Sequence, residues 1–154
     1  MSGIESIMHR DVITVEPTAS VTEAAKTMRE FNLGALVVVE GGVIHGIFSE
    51  RDIMNRVVAE GRDPTGVPVG EVCTPDPKCV DATSSVAECY DVLMREGFRH
   101  LIIRDASNRP VGVVSARDFL RCIMVQHETE ISIEDTCARL GQLTVLMERM
   151  EELR

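Results

Sequence analysis

The chain has 154 residues, enough for one compact domain or two small interlocked units. Hydrophobic residues make up 44% but aromatics only 3%, with no Trp and one Tyr, so the core has to be aliphatic and methionine-based. The net charge of −9 repels phosphate backbones and argues against non-specific nucleic-acid binding, though not against a small anion in a locally basic pocket.

Val12-Ile13-Thr14-Val15 is a short β-type run, broken at Pro17. Ser20-Val21-Thr22-Glu23 has the form of a capping box, and Val21, Ala24, Ala25, Met28 and Phe31 follow at helical spacing until Asn32-Leu33-Gly34. Ala35 to Val39 is continuously apolar and β-branched, the pattern of a strand buried on both faces. Glu40-Gly41-Gly42 makes a tight turn, Val43 to Phe48 is the returning strand, and Ser49 to about Ala59 a second helix. A shift of 65 residues lays the pattern on itself. Cys79-Val80 falls on Thr14-Val15, Ser85-Val86-Ala87-Glu88 on the capping box, and Leu101-Ile102-Ile103 on Leu36-Val37-Val38. The turn at Asp105 to Pro110 is one residue longer, so the offset becomes 66 by Gly112.

The sharpest repeated element is Gly46-Ile47-Phe48-Ser49-Glu50-Arg51-Asp52, matched by Gly112-Val113-Val114-Ser115-Ala116-Arg117-Asp118. It sets a hydroxyl, a guanidinium and a carboxylate where a strand turns into a helix. A helix start of this kind suits phosphate: unpaired amides and the positive dipole end point outward, Ser49 and Ser115 can bond phosphate or ribose oxygens, and Arg51 and Arg117 can add charge-assisted bonds. A carboxylate accepts from two vicinal hydroxyls, so Asp52 and Asp118 suit a ribose diol. Ser-x-x-Asp is also close to a helix-capping box, which needs no ligand, although capping does not call for Arg at the third position. One βαββα unit cannot cover its own apolar face, so the pair of units is the expected folding unit. Residues 60–78, rich in Gly and Pro, read as the connection, with the repeats over 7–60 and 72–125, a linker at 61–71 and an extension at 126–154.

With these two elements, the Gly34-Ala35-Leu36-Val37-Val38 strand and Arg99-His100-Leu101-Ile102-Ile103, the chain resembles a tandem pair of cystathionine-β-synthase (CBS) domains, the Bateman module, over about residues 7–125. The resemblance implies an α+β fold of two βαββα repeats around a pseudo-twofold axis and a stand-alone regulatory sensor, not an enzyme. The implied ligand is an adenosyl nucleotide (AMP, ATP or NAD) held in the clefts between repeats, with no metal. Adenine is then expected beside Ile13, Thr14, Leu33 and Ala35 in one copy, and beside Cys79, Val80, Phe98 and His100 in the other. Arg99-His100 stands where the family often places phosphate-binding basic residues, and the first copy has Gly34-Ala35 there, so the two sites are expected to differ.

Five cysteines with no C-x-x-C pair, and four histidines that do not cluster with them, point to free thiols in a reducing cytosol and away from a zinc site. No apolar run approaches the ~18 residues of a membrane span, so a cytoplasmic protein with no membrane partner is expected. Beyond the repeats, Ile133, Thr136, Leu140, Leu143, Met147 and Met150 form a heptad-like stripe. It reads either as a helix packed on its own subunit or as support for a homodimer. Two other functions stay open: an interaction scaffold with vestigial pockets that serves an unidentified target protein, and an enzyme using Cys79, for which no paired base, P-loop or metal cluster is present.

Overall fold

The computed structural model describes residues 3–97 and 99–127. Phe98 and the proposed C-terminal helix, with its heptad-like stripe, therefore lie outside the described residues. The first repeat runs β1 (Thr14–Val15), α1 (Val21–Phe31), β2 (Ala35–Glu40), β3 (Val43–Ser49) and α2 (Glu50–Asp52), which continues as a π-helical segment, Ile53–Val58. A short α3 (Val69–Val72) and β4 (Thr74–Pro75) follow. The second repeat runs β5 (Cys79–Asp81), α4 (Val86–Glu96), β6 (His100–Arg104), β7 (Pro110–Ser115) and α5 (Ala116–His127). This is the expected α+β architecture of two βαββα units.

Each α-helix that opens on a capping box forms as its sequence dictates. The Ser20 amide donates to Glu23 Oε2 at 2.8 Å while the Glu23 amide donates to Ser20 Oγ at 3.2 Å. Ser85 and Glu88 repeat both bonds at the same distances. Asn32 and Gly97 end the two helices in the left-handed region, at φ 53° and 67°. Val21, Ala24 and Met28 are buried as the spacing requires, but Phe31, in the last turn, is 49% exposed and lies outside the core.

In each copy the first strand runs parallel to the second, and the second and third form an antiparallel hairpin. Alternation assigns the two faces of each sheet. Leu36, Val38 and Phe48 pack under the first repeat's helices, and Leu101, Ile103 and Val114 under the second's. Val37 and Ile102, equivalent under the 65-residue shift, are both buried where the two sheets meet, beside Ile47 and Val113, which are equivalent under the 66-residue shift. Both faces of each sheet are covered, which explains the unbroken apolar runs.

The segment at 61–71, read from its Gly and Pro content as a linker, is mostly exposed but sends two valines into the first core. Val67 and Val69 are buried there, together with Val72 and Cys73, which the sequence reading had placed in the second repeat. Before the first repeat, the 3₁₀ turn Ile4–Ser6 packs into the second core through Ile4 and Met8. The repeats thus exchange their leading segments in register. The Val69 amide donates to Ala19 O at 2.8 Å and the Ile4 amide to Ser84 O at 3.0 Å. Thr74 pairs with Ile47 on the edge of β3, as His9 does with Val113 on the edge of β7. Pro and Gly here shape a mostly exposed connection, and composition alone does not announce the two valines it buries.

Candidate functional site

The repeated Ser-x-Arg-Asp element closes on itself in both copies. The Ser49 amide and hydroxyl each donate to Asp52 Oδ2 at 2.8 Å, and the Ser115 amide and hydroxyl each donate to Asp118 Oδ2 at 2.7 Å. The capping geometry anticipated as an alternative is therefore present, and the Ser hydroxyls are aimed at their own carboxylates. Each helix start is tied to the entrance of the second strand: the Glu50 amide donates to Gly34 O at 3.0 Å and the Ala116 amide to Arg99 O at 3.2 Å. Ala35 pairs with Ser49 and His100 with Ser115, so the sequence-predicted entrance residues do flank the two corners.

The second carboxylate oxygen separates the copies. The Asp52 side chain is 10% exposed, and its Oδ1 lies 3.5 Å from Nη1 of Arg56. The same nitrogen donates to Val72 O at 2.9 Å and Cys73 O at 2.8 Å, which locks the corner to α3 and its exit. In the second copy the Nε2–H of His9 donates to Asp118 Oδ1 at 2.9 Å. His9 comes from the exchanged leading segment, 109 residues away in sequence. Its side chain is 65% exposed and that of Asp118 12%.

Burial pushes the Asp118 carboxyl up, but the Ser115 hydroxyl and amide and the His9 imidazole together outweigh it and hold the group below the usual aspartate range. Burial, aided by Arg99, pulls His100 below the usual histidine range against the opposing pull of Asp118 and Glu50. His100 also reaches the first repeat: its Cε1 is 3.9 Å from where a Cβ on Gly34 would stand. Asp118, Ser115, His100, Arg99, Glu50 and Gly34 thus form one corner shared by both repeats, joined by His9.

The remaining sequence-predicted residues divide. Ile13 and Leu33 pack against the first core, Val80 against the second, and Cys79 between the sheets. They are partly buried and belong as much to the core as to any cleft. Thr14 is exposed on the edge strand β1, Arg51 is half-buried and Arg117 exposed. Burial raises the thiols of Cys73 and Cys79, and that of Cys89 to about 11, so none is primed as a thiolate nucleophile. No group of three or more metal-ligating side chains occurs among the described residues. A surface depression between α1 and the π-helical segment, lined by Val21, Thr22, Lys26 and Ile53 among others, contains none of the sequence-predicted site residues. No helix among the described residues is long and apolar enough to cross a membrane.

Arg56, His9 and Glu50 were missed. Arg56 sits four residues after Asp52, a helical spacing that could have announced the pair. His9 carried no such local signal.

Comparison with known proteins agrees with this fold. The family model for the CBS domain matches residues 4–59 and again 69–125, so each matched stretch includes the exchanged leader. The chain is 36% identical over 118 residues to the CBS domain-containing protein YhcV of Bacillus subtilis, covering 77% of this chain and 83% of that one. A putative signal-transduction protein with CBS domains from Burkholderia ambifaria superposes with a TM-score of 0.72 at 31% identity, covering 80% of this chain and 89% of its own. The CBS domain pair of protein MJ0100, solved in complex with 5′-methylthioadenosine and S-adenosyl-L-methionine, superposes with a TM-score of 0.75 at 21% identity, covering 82% of this chain and 98% of that one.

Proposed function

The chain belongs to the CBS-domain family as a tandem pair, and from that membership we propose that it is a regulatory sensor that binds an adenosyl nucleotide without converting it. The corner built on Asp118 is the working site. The observation that carries this reading is the contrast between the carboxylates. The two carboxylate side chains are about equally covered, but Asp52 is paired with a permanently charged guanidinium that also ties down two main-chain carbonyls. Asp118 is held by one exposed imidazole and has Arg99 and His100 beside it. A ribose diol needs an accessible carboxylate oxygen, and a 5′ phosphate needs nearby cationic or imidazole donors. The second corner supplies the donors, and a swing of the exposed His9 side chain would free the oxygen. AMP, ATP and NAD share that nucleoside end, and the ligands of MJ0100 carry it without phosphate. The output then passes to a separate target protein, in the cytoplasm and from a homodimer.

The reverse contrast favours a structural role for the first corner. There Ser49, Asp52 and Arg56 work as a cap and a strut, the interaction-scaffold reading applied to one cleft. Mass spectrometry of whatever small molecule co-purifies, followed by calorimetry with AMP, ATP, NAD and 5′-methylthioadenosine, tests both. Asp118→Ala is expected to abolish the principal binding event and Asp52→Ala to spare it. Undiminished binding in Asp118→Ala, or conversion of the bound nucleotide to a new product, would overturn the proposal.

A further inference from the structure

We propose that His9 is a ligand-site residue of the second repeat. Carried there on the first repeat's leading segment, it holds Asp118 Oδ1 and must yield it to a ribose diol, so it sets the affinity for nucleosides that keep both hydroxyls and weakens that affinity in acid. The inference rests on the reading of Asp118 as the ribose carboxylate.

The carboxylate's acceptor capacity gives the first argument. Each oxygen has about two acceptor positions. Oδ2 already takes two donors from Ser115, and Oδ1 takes His9. A diol brings two donors to a carboxylate with about one position left, so the imidazole has to move for both hydroxyls to be satisfied.

The second argument is that it can move alone. The His9 amide donates to Val113 O at 2.9 Å, and the Val113 amide donates back to His9 O at 3.0 Å. Behind this bridge Ile4 and Met8 are buried in the second core. The backbone is fixed, while the mostly exposed side chain is free to swing about its own torsions.

Third, the fold does not require the imidazole. The position equivalent to His9 under the 65-residue shift is Thr74, and the first repeat closes its cap without a histidine. Protonating His9 turns its bond to Asp118 into a charge-assisted one, which favours the closed arrangement. The charged and titratable neighbours are Asp118 on α5, His100 on β6 with Arg99 before it, Glu50 on α2, and the Arg10–Glu5 pair on the leader. The downward shifts favour an ionised Asp118 and an uncharged His100, so His9 faces a charged carboxylate.

Calorimetry on the full chain with 5′-methylthioadenosine, which has no titrating phosphate, tests the proposal at pH about 8 and about 5.5, the range in which histidines commonly change charge. Wild type is expected to bind more weakly at the lower pH. His9→Ala should bind about fivefold tighter at that pH and lose the dependence. His9→Gln keeps a neutral donor and should match wild type at high pH without the loss in acid. 2′-Deoxyadenosine, with a single remaining ring hydroxyl, should respond less to either substitution. If Asp118→Ala abolishes binding while His9→Ala leaves affinity and pH dependence unchanged, or weakens binding, the role of His9 is overturned and the Asp118 site stands. If binding survives Asp118→Ala, or neither wild type nor His9→Ala binds, the site and the role of His9 fail together.

Discussion

The two repeats close one and the same corner with different nitrogen donors. In the first, the cation is Arg56, on the same helix as the carboxylate, permanently charged and bonded also to Val72 O and Cys73 O. In the second, the position equivalent to Arg56 is Cys122, and the partner of Asp118 is His9 from the other repeat's leader. One sequence motif thus serves two ends. A local arginine bonded also to two carbonyls makes the carboxylate part of the wall; a distant histidine on the other repeat's leader leaves it open to exchange. The exchanged leaders differ too. The first repeat receives Val69, Val72 and Cys73, and the second receives the larger Ile4, Ile7 and Met8 at the equivalent positions.

That comparison can be broken by experiment. The largest effects belong to the exchange itself. Ile4→Ala, at a fully buried position, is expected to cost about 3 kcal/mol in urea unfolding. A cost below about 1 kcal/mol would mean the leader does not pack in the second core in solution. The glycines under the two leaders should then part company. A Cβ on Gly46 would stand 2.8 Å from Thr74 O, which is backbone, whereas on Gly112 its nearest neighbour is Met8 Sδ at 2.5 Å, on a flexible side chain. Gly46→Ala is expected to destabilise by about 3 kcal/mol and Gly112→Ala by about 1 kcal/mol, measured the same way. Equal losses would count against the asymmetry.

The corner residues come next. Arg56→Ala should cost about 2 kcal/mol, because it strips the donor from two carbonyls and a buried carboxylate. Cys122→Ala, at the equivalent position, should stay within about 0.5 kcal/mol. The smallest effect is a pH dependence. The folded pKa of His100 lies below its unfolded value, so between the two the unfolded chain binds more protons and stability falls as the pH drops below about 6.5. His100→Gln should flatten that limb of the stability profile, by no more than about 1.4 kcal/mol per pH unit for a single group. An unchanged slope would show that His100 is not shifted by its surroundings.

The elements were legible where their signals are local. The Ser20-Glu23 and Ser85-Glu88 boxes, the apolar runs at Ala35 and Leu101, and the turn at Gly41-Gly42 each act through neighbours a few residues away. The site was legible in part. The Ser-x-Arg-Asp element pointed to the corners, but Ile13, Leu33 and Val80, read as pocket walls, are shared with the cores, because an aliphatic side chain beside a strand serves either purpose. The leader was readable in principle: Ile4, Ile7 and Met8 fall on Val69, Val72 and Cys73 at the same 65-residue shift. Three apolar positions in five residues are too few to announce an element, and Gly and Pro around the second copy suggested a linker instead.

The amino-acid sequence by itself determined that there are two βαββα units, that each carries a carboxylate at a helix start, and that the units must pack on one another, since neither can cover its own apolar face. The tertiary structure decided which side chain meets which carboxylate. Arg56 reaches Asp52 within one helical turn, but His9 reaches Asp118 only after the leader has crossed to the other repeat and been fixed there by Ile4 and Met8. No local pattern encodes a contact across 109 residues; it forms because the leader buries Ile4 and Met8 in the second core and carries His9 with them.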